Sequence, residues 1–193
     1  MNQNPILRPN ILIIIVVLIL LVGGGYIWMA KSKSQTVSSN DLRAKDVALL
    51  GRDHVDVGTK VKYNSNPPTS GDHYEEWAKN GVHDKSTDDG HLVHSLEHGY
   101  IIISHNCELI KLKVGTESAE IDKECMDFVS KLKDLVEKDS WKMILIPRPS
   151  LDSDFALTAW GKIDKFNTKD ASLSRVKAFV AAFRNHGPEQ TME

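Results

Sequence analysis

The chain has few cysteines and little net charge. Its 193 residues include only two cysteines, Cys107 and Cys125, so no C-x-x-C unit is present. This absence excludes the dithiol redox motif and the cysteine-based zinc motifs. The 24 basic and 26 acidic side chains are interspersed and leave a formal charge of −2, which gives no argument for a nucleic-acid partner or an anionic surface. We see no internal repeat, and we expect no nucleic-acid partner.

A long apolar run follows the first ten residues. The twenty residues from Ile11 to Ala30 carry no charge, and this length crosses a hydrocarbon core of roughly 30 Å. A cleaved signal peptide is the alternative, but its apolar region is about 7–15 residues long and ends in a small-x-small site. Trp28-Met29-Ala30 is a poor site of that kind. We therefore predict a tail and a single transmembrane signal anchor over 1–30, with residues 11–30 in the membrane, a polar flexible spacer over 31–45, and one soluble, monomeric domain over 46–193.

The charges next to this run do not by themselves decide the side of the membrane on which the domain lies. One basic residue precedes the run and several follow it: Arg8 before, and Lys31, Lys33, Arg43 and Lys45 after. By the positive-inside rule this count favours a cytoplasmic domain. The short N-terminal tail and the pair of cysteines favour export, and long domains translocate largely regardless of charge. We expect a single-pass protein of the cell membrane whose domain is extracytoplasmic.

Helical and strand patterns follow one another in the soluble domain. Apolar side chains recur at helical spacing over about 118–137 and again over 169–185. Short apolar or extended runs predict strands at 100–104, 141–146 and 155–160, with 55–63 as a candidate for another. The long helix after the first strand predicts a crossover to the second, and the short loop after the second predicts an antiparallel hairpin with the third. The fold class predicted is α+β, with a small mixed sheet and two main helices.

Histidines are concentrated between His91 and His98. Neutral imidazole is the commonest protein ligand for metals. If this segment is a helix, its rotation of about 100° per residue places His91, His94 and His98 on one face. If it is a strand, only His94 and His98 share a face. Gly99 is expected to end the segment, by a C-cap or a bulge. The rigid turn residues at 67–71 would hold His73 on a loop that can dock near the pair.

Three functions fit these residues. The first is a site for a transition metal, copper or zinc, with the ligands His73, His94 and His98, and Glu97 as a ligand or as the group that orients one. The second is a metal-dependent hydrolase, because H-x-x-E-H at 94–98 matches a zinc-peptidase motif in which the glutamate is the general base. The third is a metal-free envelope interaction module in which the histidines hydrogen-bond loops together. Four other histidines are expected to be merely solvated or hydrogen-bonded: His54, His83, His105 and His186.

The two cysteines also have two interpretations. In an oxidising compartment, Cys107 and Cys125 would form a structural disulfide that closes a loop of about 18 residues and contributes roughly 3 kcal/mol on the chain-entropy estimate. Alternatively, Cys125 is a buried thiol and Cys107 is a soft metal ligand beside the histidines. We favour the disulfide.

Several motifs together resemble the bacterial "domain of unknown function 3105" family. They are P-P-T-S-G-x-H at 67–73, W-x-x-x-G at 77–81, V-H-x-L-E-H-G at 93–99, P-R-P at 147–149, A-W-G at 159–161 and G-P-E at 187–189. The resemblance covers about 46–190 and implies a single-span or secreted envelope protein. It carries over His73, His94, Glu97 and His98 as site residues and Trp77 and Trp160 as scaffold. No activity follows from it.

We predict that residues 35–193, produced without the apolar run, fold as a soluble monomer, because the spacer is polar and the domain has its own periodic core. Size-exclusion chromatography with light scattering measures this directly. Recovery of this fragment only as aggregate, or only in detergent, would contradict the single-anchor organisation.

Overall fold

The computed structural model describes residues 41–107, 118–189 and 191. The predicted tail and transmembrane anchor at 1–30, and most of the predicted spacer, lie outside the described residues. Within the described part of the chain, no helix has the length and apolar character needed to cross a membrane.

A mixed sheet of six strands organises the described domain. The strands are β1 (Lys45–Asp46), β2 (Gly81–Val82), β3 (Ile101–His105), β4 (Met143–Pro147), β5 (Phe155–Ala159) and β6 (Lys162–Phe166), in the spatial order β1-β6-β5-β3-β4-β2. Three α-helices accompany them: α1 (Asp89–Glu97), α2 (Ser118–Lys138) and α3 (Leu173–Phe183). A short 3-10 helix, Thr168–Asp170, precedes α3. The α+β class with a mixed sheet is confirmed, with a third helix formed by the histidine segment.

One predicted connection is wrong. Strands β3 and β4 are parallel neighbours that flank α2 in the chain, as predicted. The hairpin predicted between β4 and β5 does not form, because β5 pairs antiparallel with β3 on the opposite side. The antiparallel hairpin consists of β5 and β6 instead. Strand β6 was not predicted, because its lysines and aspartate interrupt the apolar pattern. Residues 55–63 contain no strand, although an isolated bridge joins His54 to His73.

The central strands are covered on both faces. Ile101 and Ile103 contribute to a core with apolar side chains of α2 and α3. Ile102 contributes to a second core on the opposite face, with Leu92 and Leu96 of α1. Trp160, predicted to be scaffold, packs against this second core. A strand buried on both faces needs a continuous apolar run, and α1 is thereby fixed against the sheet.

A disulfide joins Cys107, just after β3, to Cys125 in α2. The two Cα atoms are 5.7 Å apart, and the Cys125 side chain is completely buried in the core beneath α2. The disulfide interpretation of the sequence is confirmed. The alternative role of Cys107 as a metal ligand is therefore wrong.

Candidate metal centre

Helix α1 ends in a Schellman motif, which sets the direction of its last side chains. The backbone N–H of Gly99 donates to the carbonyl of Leu96 at 2.9 Å, and the N–H of Tyr100 donates to the carbonyl of Ser95 at 3.0 Å. Gly99 has φ = 79°, a left-handed conformation that favours glycine. The predicted C-cap is confirmed, and the segment that carries His94 and His98 is helical rather than extended.

The loop that carries His73 is fastened to the rest of the domain. The backbone N–H of Leu50 donates to Oγ of Ser70 at 3.0 Å, and the N–H of Gly161 donates to the carbonyl of Thr69 at 3.0 Å. Thr69, Ser70 and His73 are all completely buried. The loop therefore presents the His73 imidazole from a fixed backbone.

Arg148, in the P-R-P segment, connects this loop to the start of α1. Its Nε donates to Oδ1 of Asn66 at 2.8 Å, and its two terminal nitrogens contact the carboxylate of Asp89 at 2.5 and 3.0 Å. A bidentate arginine–carboxylate pair of this kind is geometrically specific. Asn66 begins the His73 loop and Asp89 begins α1, so one guanidinium sets the spacing of the two histidine-bearing elements.

Backbone hydrogen bonds of Asp53 and Val55 to His73 bring His54 beside the His73 loop. The N–H of Val55 donates to the carbonyl of His73 at 2.8 Å, and the N–H of His73 donates to the carbonyl of Asp53 at 3.0 Å. The His54 ring then lies 5.1 Å from the ring of His73 and 5.0 Å from that of His94, measured between centroids. His54, expected to be an ordinary solvated or hydrogen-bonded histidine, is indeed exposed, and its ring also lies beside the rings of His73 and His94.

Four side chains converge there, and we call them the inner group: His54, His73, His94 and Glu97. One ligand atom from each lies within 4.8 Å of the ligand atoms of the others. Nε2 of His73 is 3.0 Å from Oε2 of Glu97. This buried nitrogen nevertheless has no hydrogen bond of acceptable geometry. The other carboxylate oxygen of Glu97 lies 3.4 Å from the exposed guanidinium of Arg52.

Backbone carbonyls orient two of the imidazoles. Nδ1 of His73 is 2.8 Å from the carbonyl of Gly71, and Nδ1 of His94 is 2.7 Å from the carbonyl of Tyr74. A carbonyl can only accept, so each Nδ1 carries a proton and each neutral ring keeps its lone pair on Nε2. Burial lowers the pKa of His94 below its ordinary value, opposed by the bond to Tyr74 and assisted by the neighbouring imidazoles. His94 is therefore neutral and able to coordinate at neutral pH.

A second set, the outer group, shares His94 and adds His98 and Glu189. Nε2 of His98 donates to Nε2 of His94 at 3.0 Å, because the His94 proton is on Nδ1, and Nε2 of His98 is 3.7 Å from Oε2 of Glu189. The Glu189 side chain is 53% exposed, whereas that of His98 is only 5% exposed. The indole of Trp77 packs against this group, with its ring 5.6 Å from the His94 ring and 5.1 Å from the His98 ring.

The G-P-E motif positions Glu189. The N–H of Asn185 donates to the carbonyl of Gly99 at 2.8 Å, and the N–H of Glu189 donates to the carbonyl of Glu97 at 3.1 Å. A Cβ added at Gly187 would lie 2.0 Å from the Glu97 carbonyl oxygen, so only glycine fits there. Glu189 was not among the predicted site residues, although its motif is evident in the sequence. Its position at the end of a conspicuous motif was the available signal.

Lys142 contacts both the C-terminal end of α1 and the segment that follows α3. This completely buried ammonium donates from Nζ to the carbonyl of His98 at 2.8 Å and to Oδ1 of Asn185 at 2.8 Å. A cation near the last carbonyls of a helix is favourable because it complements the helix dipole. Lys142 thus helps to hold the C-terminal segment against the end of α1.

The structure divides the predicted ligands between the two groups. His73, His94 and Glu97 meet in the inner group, and His98 meets His94 and Glu189 in the outer group. His91 joins neither group, although its segment is helical. Its Nδ1 contacts the carbonyl of Glu76 at 2.7 Å. The His91 ring also packs against the ring of Tyr74, at 4.9 Å between centroids, and so is engaged outside both groups.

The tautomers provide a test of this geometry in the metal-free protein. We expect His73 and His94 to carry their proton on Nδ1, because each Nδ1 faces a carbonyl. The control is His83, whose Nε2 is 2.7 Å from the carbonyl of Lys79 and should carry the proton. Nitrogen-15 chemical shifts of the imidazoles distinguish the two tautomers. Finding the proton on Nε2 of His73 or His94 would contradict the proposed ligand orientation.

Comparison with known proteins agrees with the motifs. The family described as "Protein of unknown function (DUF3105)" matches residues 54–193, a range that includes both ligand groups. Neither a curated protein nor a solved structure matches the chain significantly. The match extends over well more than half of the 193 residues. The resemblance inferred from the motifs is confirmed, and the chain belongs to the DUF3105 family.

Proposed function

We propose that this protein is a membrane-anchored extracytoplasmic protein that binds a transition metal ion, zinc or copper, through the inner group. The contact that carries the proposal is the 3.0 Å approach of the His73 Nε2 to the Glu97 carboxylate. The His73 proton is already committed to Nδ1 by the Gly71 carbonyl. Nε2 therefore directs a lone pair at a buried carboxylate.

Two electron-rich atoms at this distance repel each other unless a positive charge lies between them. A proton is one solution, but it would be shared by only these two atoms. A metal ion is the other solution, and it is bound by several donors at once. Convergence of His54 and His94 on the same point supports the metal. The inner group and the outer group both lie at the C-terminal end of α1, where the helix dipole favours cations.

The donor set favours zinc over copper. Three imidazole nitrogens and one carboxylate oxygen are ligands that zinc accepts in tetrahedral geometry. The inner group contains no cysteine or methionine, the soft ligands that select copper(I). Copper(II) also accepts imidazole, in tetragonal geometry. We therefore propose zinc as the preferred ion and copper(II) as its competitor.

The same donor count argues against the hydrolase. A catalytic zinc keeps one coordination position open for the water that it activates. Here a carboxylate and three imidazoles supply four donors, so Glu97 is used as a ligand and is not free to act as a general base. We propose a protein that holds the ion, not one that uses it to cleave a bond.

Two features support the proposed location. The uncharged run from Ile11 to Ala30 is long enough to anchor the chain in a membrane. The disulfide between Cys107 and Cys125 is of the kind that persists outside the cytoplasm. Together they favour a domain that faces the oxidising side of the cell membrane.

Replacement of a central ligand should remove tight zinc binding. We expect His73→Ala and His94→Ala each to weaken zinc affinity by more than about 100-fold, more than the loss of a group that merely orients a ligand. His83→Ala is the matched control, because His83 belongs to neither group and its ring contacts the carbonyl of Lys79, away from both groups. Competition titration with a chromophoric chelator at pH 7 measures the affinities. If His94→Ala binds zinc as tightly as the unaltered protein, the proposal is wrong.

A further inference from the structure

We infer that the outer group is an entry site for the same metal ion, which passes from His98 and Glu189 to the inner group by exchanging ligands on His94. This inference rests on the proposed function of the inner group. It adds a second binding position and a route, and it assigns a role to Glu189 and His98.

His94 can coordinate only one ion at a time. Its Nδ1 donates to the Tyr74 carbonyl at 2.7 Å, which leaves Nε2 as the one donor atom. Both groups need this atom. The two complete donor sets therefore cannot be filled together, and they are alternative positions of a single ion.

The distances allow the ion to move between these positions without leaving the protein. Nε2 of His98 is 3.0 Å from Nε2 of His94 on the outer side. On the inner side, the rings of His73 and His54 are 4.9 and 5.0 Å from the His94 ring. An ion bound to His94 can therefore release His98 and take up the inner donors one by one.

Exposure and charge give the route its direction. The Glu189 side chain is 53% exposed, the His98 side chain 5%, and the His73 side chain is completely buried. A carboxylate at the surface attracts a cation from solvent. The inner group also meets solvent at the exposed His54, but on that group the 59% exposed guanidinium of Arg52 lies beside the Glu97 carboxylate and repels an approaching cation. The ion should therefore arrive at Glu189 and end in the inner group.

Zinc uptake kinetics of the full-length protein in detergent test the route. We compare Glu189→Gln with the matched control Glu137→Gln, which removes an equally exposed carboxylate on α2. The unaltered protein should bind one zinc ion per chain. Loss of the Glu189 charge should slow zinc uptake about tenfold, as expected for loss of electrostatic attraction. Release of zinc to a chelator should slow by the same factor, and the equilibrium Kd should not change, because the final position of the ion is unaltered. His98→Ala should slow both rates in the same way.

Three results would overturn the inference. Two zinc ions bound with similar affinity would make the groups separate sites. Rates for Glu189→Gln equal to those of Glu137→Gln would remove Glu189 from the route. A weaker equilibrium affinity with unchanged uptake would make Glu189 a permanent ligand. If the unaltered protein binds no zinc, the proposed function fails as well, whereas tight binding with unchanged rates refutes the entry site alone.

Discussion

The site depends on two hydrogen bonds from imidazole to backbone. The carbonyls of Gly71 and Tyr74 accept from Nδ1 of His73 and His94. They fix both the tautomer and the direction of each ring, and so direct both Nε2 atoms into one small volume. Because backbone carbonyls provide this orientation, the whole loop around His73 must be held still. The hydrogen bonds that Thr69 and Ser70 accept from Gly161 and Leu50 hold the loop in this position.

Three of the family motifs have identifiable structural roles around the inner and outer groups. The P-R-P segment contributes Arg148, which sets the spacing between the His73 loop and α1. The V-H-x-L-E-H-G motif is the end of α1 with its Schellman cap at Gly99. The G-P-E motif needs Gly187 to approach the end of α1 and so to deliver Glu189. These motifs are far apart in the sequence, but in the fold they lie together around the inner and outer groups.

The parts of the fold that the sequence predicts are those set by local pattern. Apolar periodicity predicts α2 and the buried run of β3 correctly, and the rarity of cysteine makes the pairing of Cys107 with Cys125 a simple inference. The hairpin partner of β5 and the recruitment of His54 were not predictable in this way. Both result from pairing between distant segments: β5 lies beside β3, and His54 lies beside His73. Periodicity within one segment has no information about such partners.

X-ray absorption spectroscopy at the zinc edge of the zinc-loaded protein tests the central claim most directly. The inner group predicts one shell of four nitrogen or oxygen atoms at about 2.0–2.1 Å. Multiple scattering from three imidazoles should accompany this shell, because three of the four donors are histidines. A shell of six oxygen atoms without imidazole scattering, as expected for an ion bound loosely at surface carboxylates, would contradict the account.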